Sequence, residues 1–163
     1  AGGTKEPIDG ARFISNISTG KTAAKLAEVF INNGWDVTFL SSKDSEVPNG
    51  KFEKKSFSTF NDLDRKIKSL IGNRKFDVFI HSAAVSDYTP VEINEQIKID
   101  SMNKNLTLTF KKTPKIFFGN YKPENIFLDN TKSINILNFK YKIDLSTGIQ
   151  LTVNKIKNHV NKT

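Results

Sequence analysis

Over residues 21–84 the sequence alternates between helical and extended patterns, and that alternation restricts the fold more than any other feature. In residues 21–33, Ala23, Leu26, Ala27, Phe30 and Ile31 fall on one helical face, and Asn33-Gly34 supplies a C-terminal stop. "WDVTFLSS" then reads as a short strand through Val37, Phe39 and Leu40; a polar loop over 42–50 leads to a weaker strand in "KFEKKSFSTF". The next helix, in "NDLDRKIKSLIGN", puts Leu63, Ile67, Leu70 and Ile71 on one face, with Asn61 or Asp62 to cap it and Gly72 to end it. "FDVFIHSAAVSDY" predicts a buried strand at 78–80 running into a turn of small residues. Strand and helix alternating at this spacing point to an α/β protein with a doubly wound, mostly parallel sheet.

Beyond residue 95 the pattern changes. In "QIKIDSMNKNLTLTFKK", Leu106, Leu108 and Phe110 alternate around a polar turn, which predicts an antiparallel hairpin. A short helical piece in "TPKIFFGNY", a strand in "NIFL" and one or two strands in "SINILNFKYKID" follow. The last segment, "GIQLTVNKIKNHV", predicts a helix with Ile149, Val153, Ile156 and Val160 on one face. No internal repeat is present.

Composition bounds the possibilities. At 163 residues the chain fits one domain, a size that buries about 70% of the surface its unfolded form exposes. Apolar content of 37% with 13 Phe argues against disorder, and no apolar run approaches the ~18 residues of a membrane span. Without cysteine there is no disulfide, thiolate metal site or cysteine nucleophile, which fits a reducing cytoplasm. No signal-like charged-then-apolar segment precedes Ala1. A net charge of +8 invites a nucleic-acid reading. Its distribution argues against one: Arg12, Arg65 and Arg74 are the only arginines, and the lysines are scattered among Asn and Ile. A small anionic substrate would exploit the same field.

The residues suited to such a substrate lie in three loops. In "RFISNISTGK", Ser18, Thr19 and Gly20 enter a helix whose first N–H groups and dipole favour an anion. A Ser18 or Thr19 helix cap explains the same residues equally well. Gly2-Gly3-Thr4 forms a second glycine turn just upstream, where a strand should end. In "HSAAVSDYTP", small residues allow close approach and Asp87 offers a carboxylate, although an ordinary strand-to-loop turn reads the same way. His81 reads more readily as a packed strand-end residue than as a general base, and no spacing points to a metal cage.

Taken in order, "AGGTKEPID", "RFISNISTGK", "HSAAVSDYTP", Lys98-Ile99 and "LTLTFKKTPKI" resemble phosphopantothenoylcysteine synthetase, a ligase of the coenzyme A pathway, over residues 1–128. "HSAAVSDYTP" and "KKTPKI" look most like the free-standing bacterial form. The resemblance implies an α/β, Rossmann-like, doubly wound fold, its mostly parallel sheet carrying an antiparallel hairpin or flap. It implies a cytoplasmic homodimer that joins 4′-phosphopantothenate to cysteine. A nucleoside triphosphate, CTP or else ATP, would activate the carboxylate with Mg²⁺ through an acyl-nucleotide. By the same resemblance Asn16 holds the pantothenoyl part and the intermediate, and Lys98, on the flap, meets the intermediate. Arg12 reaches the substrate phosphate from the neighbouring subunit. Gly2, Ser18 and Gly20 contact nucleotide phosphate. His81, Ser82, Ala83, Ala84 and Asp87 line the nucleotide and pantothenate sites, and Pro114, Lys115, Ile116 and Phe117 make up a further nucleotide segment.

Two departures from the family are visible. The apolar strand that precedes the Gly-Gly-Thr turn in the family is not in this sequence, and the order of segments implies one missing near residues 128–129, with a shorter gap near 91–92. Two other readings compete. A Rossmann-like oxidoreductase lacks its G-x-G-x-x-G and the acidic residue after the second strand. A basic, non-catalytic nucleotide- or nucleic-acid-binding module would use the same loops.

Overall fold

The computed structural model describes residues 1–91, 97–102, 105–116 and 145–160. Two parallel pairs form the centre: β4 (Thr38–Ser42) runs beside β5 (Glu53–Phe57), with Thr38 opposite Glu53 and Ser42 opposite Phe57. β1 (Gly2–Gly3) runs beside β6 (Ala83–Ala84). Backbone bonds from Ala1 N to Leu40 O (2.7 Å) and from Ser42 N to Ala1 O (3.0 Å) lay β1 along β4. The order is therefore β5-β4-β1-β6, with the carboxyl ends of all four strands on one edge, as in doubly wound sheets.

α1 (Lys21–Asn32) buries Ala24, Ala27 and Phe30, the stripe its period requires. α3 (Leu145–Val160) lies against α1 on the same side of the sheet, through buried Ile149 and Val153 beside Phe30. Trp35 closes that cluster edge-on, its ring 5.4 Å from that of Phe30. On the opposite side α2 (Phe60–Asn73) packs Leu63 and Ile67 on Phe57; burying each of these side chains is worth about 1.5–3 kcal/mol.

Several expectations change. α2 is capped by Thr59, whose Oγ1 accepts from Asp62 N at 3.2 Å, so Asn61 and Asp62 lie inside the helix. Asp62 instead accepts from Ser58 N, a reciprocal arrangement close to a capping box, and Gly72 is helical. Residues 78–80 form no strand and are only half-buried. A cavity of about 440 Å³, lined by Val37, Phe39 and Leu40 and by Val78, Phe79 and Ile80, opens between that segment and β4. The ladder begins only at Ala83, where β1 lies alongside.

The expected hairpin also has a different partner. β8 (Phe110–Lys112) pairs antiparallel with β7 (Tyr88–Pro90), and Leu106 and Leu108 lie outside any strand. Thr113 sets the register: its N–H donates to Asp87 O (2.9 Å) and its hydroxyl to Ser86 O (2.6 Å). A second hairpin, beyond those the sequence predicts, pairs β2 (Lys5–Pro7) with β3 (Phe13–Ser15) and carries the Asp9-Gly10 turn signal at its tip. Residues 113–116 are not helical; the rest of "TPKIFFGNY", "NIFL" and "SINILNFKYKID" lie outside the described residues, as do residues 92 and 128–129 and the side chains of Ile156 and Val160.

Candidate functional site

At the carboxyl edge of the sheet three loops converge on two glycines. Gly2 (φ +80°) and Gly20 (φ +72°) both occupy the left-handed region that glycine adopts without strain. Packing imposes the same choice. A Cβ on Gly2 would overlap the hydroxyls of Ser42 and Ser45, one on Gly20 would lie 2.9 Å from Ser45 Cβ, and one on Gly3 would overlap Asn16 O. Beneath them Ser42 and Ser45 share a buried hydrogen bond of 2.6 Å, and Glu46 N donates to Thr19 O at 2.9 Å.

Gly20, rather than Ser18 or Thr19, occupies the cap position of α1, and no side chain caps the helix. Thr19 Oγ1 accepts only weakly from Lys21 N at 3.3 Å. With no acidic residue in its first turn, the helix presents its positive end to the loop cluster, an arrangement that attracts phosphate or carboxylate. Beside it Asn16 donates from Nδ2 to Val85 O at 2.9 Å, which ties the first loop to the exit of β6.

That exit is held by two threonines for which the sequence had indicated no role. Thr4, fully buried, donates to Ala84 O (3.1 Å) and accepts from Ser86 N (3.0 Å). Thr113 grips Ser86 O and Asp87 O from the far side, and Ser86 Oγ donates to Tyr88 O. Ala83 and Ala84 are half-buried, and Ser82 and Asp87 are exposed. Burial lowers the pKa of His81, favouring its neutral form at pH 7. Pro114 and Lys115 are exposed, whereas Ile116 packs on the Phe57–Leu63–Ile67 cluster; Phe117 lies outside the described residues.

The structure thus brings Gly2, Asn16, Ser18, Gly20, Ala83 and Ala84 together and continues through Asp87. Arg12 and Lys98 form a second grouping at the tip of the β2–β3 hairpin. There Arg12 clasps Asp9 through Nε (2.9 Å) and Nη2 (2.5 Å), and Nη2 also reaches Ile99 O at 2.8 Å. The sequence alone does not single out Asp9, because a single aspartate in a turn carries no distinguishing pattern.

A family model described as the DNA/pantothenate metabolism flavoprotein C-terminal domain matches residues 1–126. The chain belongs to that family. Among its relatives, the coenzyme A biosynthesis bifunctional protein CoaBC of Thermococcus kodakarensis is 36% identical over 71% of this chain and 28% of the relative. The protein of the same name from Methanocaldococcus jannaschii is 30% identical over 99% of this chain and 36% of the relative. The chain therefore spans only about a third of the length of these curated relatives. Of solved structures, the DNA/pantothenate metabolism flavoprotein of Streptococcus pneumoniae superposes with a TM-score of 0.63 at 31% identity, over 71% of this chain and 59% of that one. The C-terminal domain of a CoaBC protein shares the fold over the whole chain and 94% of its own length, with a TM-score of 0.71 at 18% identity. A Cab2 mutant in complex with phosphopantothenate-cysteine matches at 25% identity and a TM-score of 0.59, over 70% of this chain and 55% of that one. No helix among the described residues is long and apolar enough to cross a membrane.

Proposed function

We propose that the chain is a phosphopantothenoylcysteine synthetase, a cytoplasmic ligase that joins 4′-phosphopantothenate to cysteine in coenzyme A biosynthesis. The observation that carries this reading is the pair of left-handed glycines, Gly2 and Gly20, that form a cradle at the uncapped start of α1, with Asn16 tied to the β6 exit beside it. The family, and the phosphopantothenate-cysteine bound to the Cab2 relative, support the substrate class.

The cradle and helix N-terminus hold the phosphates of a nucleoside triphosphate, CTP or else ATP. A carboxylate oxygen of phosphopantothenate attacks the α-phosphorus; the bond to the β-phosphate breaks, and pyrophosphate leaves with its electron pair. Cysteine's amine then attacks the acyl carbon, giving up a proton as the nucleoside monophosphate departs. Asn16 orients the acyl group, donating and accepting hydrogen bonds without changing charge, and Lys98 offsets the developing negative charge. Gly2, Ser18 and Gly20 serve the phosphates. His81, Ser82, Ala83, Ala84, Asp87, Pro114, Lys115, Ile116 and Phe117 line the nucleotide and pantothenate sites, and Arg12 takes the substrate phosphate of the neighbouring protomer.

Mg²⁺, when bound, supplies charge neutralisation at the triphosphate. Phosphate oxygens and water would supply most of its ligands, with Asp87 the carboxylate on the loop concerned. The homodimer rests on the resemblance, with Arg12 as the residue that crosses to the neighbouring protomer.

A pyrophosphate-release assay with cysteine first withheld and then added tests the activity. Release with CTP or ATP that requires phosphopantothenate is expected, followed by amide formation once cysteine arrives. Release independent of phosphopantothenate, or none with either nucleotide, overturns the reading. Asn16→Asp is expected to fold normally and to lose about 100-fold or more in turnover, the usual cost of one preorganised donor.

A further inference from the structure

We propose that Asp9 is a positioning residue that holds Lys98 and Arg12 in place through the backbone of Ile99. The inference deepens the ligase reading and rests on it for the roles of those two cations.

The geometry is specific. Asp9, 4% exposed, accepts five hydrogen bonds: from Ala11 N (2.8 Å), Arg12 N (2.7 Å), Ile99 N (3.0 Å), Arg12 Nε (2.9 Å) and Arg12 Nη2 (2.5 Å). Four of the donors lie within its own turn or on the side chain that turn presents. The Ile99 N–H comes from 90 residues away. Arg12 Nη2 meanwhile donates to Ile99 O at 2.8 Å, so both polar backbone groups of Ile99 are held by one ion pair. On the other side of Lys98, Ile97 O accepts from Gly10 N at 3.3 Å. Each chain neighbour of Lys98 is thus fastened to the β2–β3 hairpin while Lys98 itself stays exposed.

A carboxylate suits this post because all its lone pairs are acceptors and every partner is a donor. Asparagine keeps the shape but turns an NH₂ group toward donors. Charge-assisted bonds are about twice as strong as neutral ones, and a fork-shaped guanidinium fixes direction as well as distance. The same carboxylate sets the plane of the Arg12 guanidinium, so one buried group places both cations that the ligase reading assigns to substrate and intermediate.

The test combines amide hydrogen exchange with kinetics on the full chain. In Asp9→Asn, exchange of the Ile99 amide is expected to accelerate about ten- to hundredfold, the loss of one charge-assisted bond, while the amides of Thr4 and Ser86 keep their protection. Turnover is expected to fall about tenfold or more with the nucleotide KM unchanged, because the nucleotide loops do not touch Asp9. Unchanged Ile99 exchange overturns the proposal. So does accelerated exchange with undiminished turnover, which leaves Asp9 a structural clasp only. If Thr4 and Ser86 also lose protection, Arg12→Lys replaces the variant: it keeps the charge but loses the fork, and faster Ile99 exchange is again required. Absence of pyrophosphate release from the unmutated chain strikes the ligase reading instead, and Ile99 exchange then decides the clasp by itself.

Discussion

The two groupings that flank the sheet edge are built on opposite principles. Around Gly2 and Gly20 the chain is shaped by missing side chains: the space that a Cβ would take is filled by Ser42 and Ser45, and the binding groups on offer are backbone N–H groups and a helix end. At the hairpin tip it is shaped by charge, with one buried carboxylate organising an arginine and a distant backbone segment. A phosphate site built from N–H groups needs close approach; a site that must place two long cations needs fixed anchors. The first should therefore be sensitive to volume and the second to charge.

The largest effect expected from this contrast is that of Gly2→Ala. Forcing a non-glycine residue into the left-handed region costs about 1–3 kcal/mol, and overpacking against the two serine hydroxyls adds about 1–3 kcal/mol. Thermal unfolding of the purified variant should show the loss, and pyrophosphate release should fall with it. Pairing the change with Ser42→Ala and Ser45→Ala together should restore part of the stability, because both overlapping hydroxyls disappear and neither is left orphaned. Full stability in Gly2→Ala alone would mean that the cradle is not a steric one.

How much of this was legible depended on whether the information was local. Helix α1 and helix α2 follow from apolar spacing and β4 from a short apolar run, whereas β5, with Phe57 its one apolar residue, reads only as a weaker strand. The cap of α1 did not follow, since Gly20 takes its left-handed turn beside Ser45 and Gly2, residues remote in sequence. Alternation through Leu106, Leu108 and Phe110 points to a hairpin, yet only Phe110 lies in a strand and its partner is β7; Thr113 on Ser86 and Asp87 decides that. Residues 78–80 are apolar enough for a strand, yet β1 is not alongside them and the ladder waits for Ala83. The glycine and asparagine loops of the site stood out because their residue types are unusual together. Thr4, Asp9 and Thr113 did not, because each becomes distinctive only through a partner between 27 and 90 residues away.

A smaller effect is expected beneath the cradle. Ser42 and Ser45 hydroxyls satisfy one another at 2.6 Å in a buried position, so Ser45→Ala orphans Ser42 and should cost about 1–3 kcal/mol. Replacing both by alanine removes the unpaired group and should recover most of that loss. Chemical denaturation of the two single variants and the double variant measures the coupling. Additive losses would show that the hydroxyl pair contributes nothing as a pair.

Acidification should separate the two groupings with the smallest effect of the three. Arg12, joined by the N–H groups of Ala11, Ile99 and Arg12 itself, holds the Asp9 carboxyl well below its usual range despite opposition from burial. A depressed carboxylate contributes stability that is complete above the unfolded value, near 4, and is lost only as pH falls through the lower folded value. His81 behaves differently: burial lowers its pKa, so below the unfolded value near 6.5 the unfolded chain binds the proton more readily and stability falls. Between pH 7 and about 5 the cradle side should therefore weaken while the hairpin tip does not. Unfolding free energies measured over that window should slope upward with pH, and His81→Gln should reduce the slope to the part contributed by the Ala1 amine, whose pKa burial lowers to about 6. Ile99 exchange, corrected for its intrinsic pH dependence, should stay constant throughout. A slope that survives His81→Gln unchanged would place the titrating group elsewhere, and a loosened Ile99 at pH 5 would mean that Asp9 is not the anchor its five donors make it.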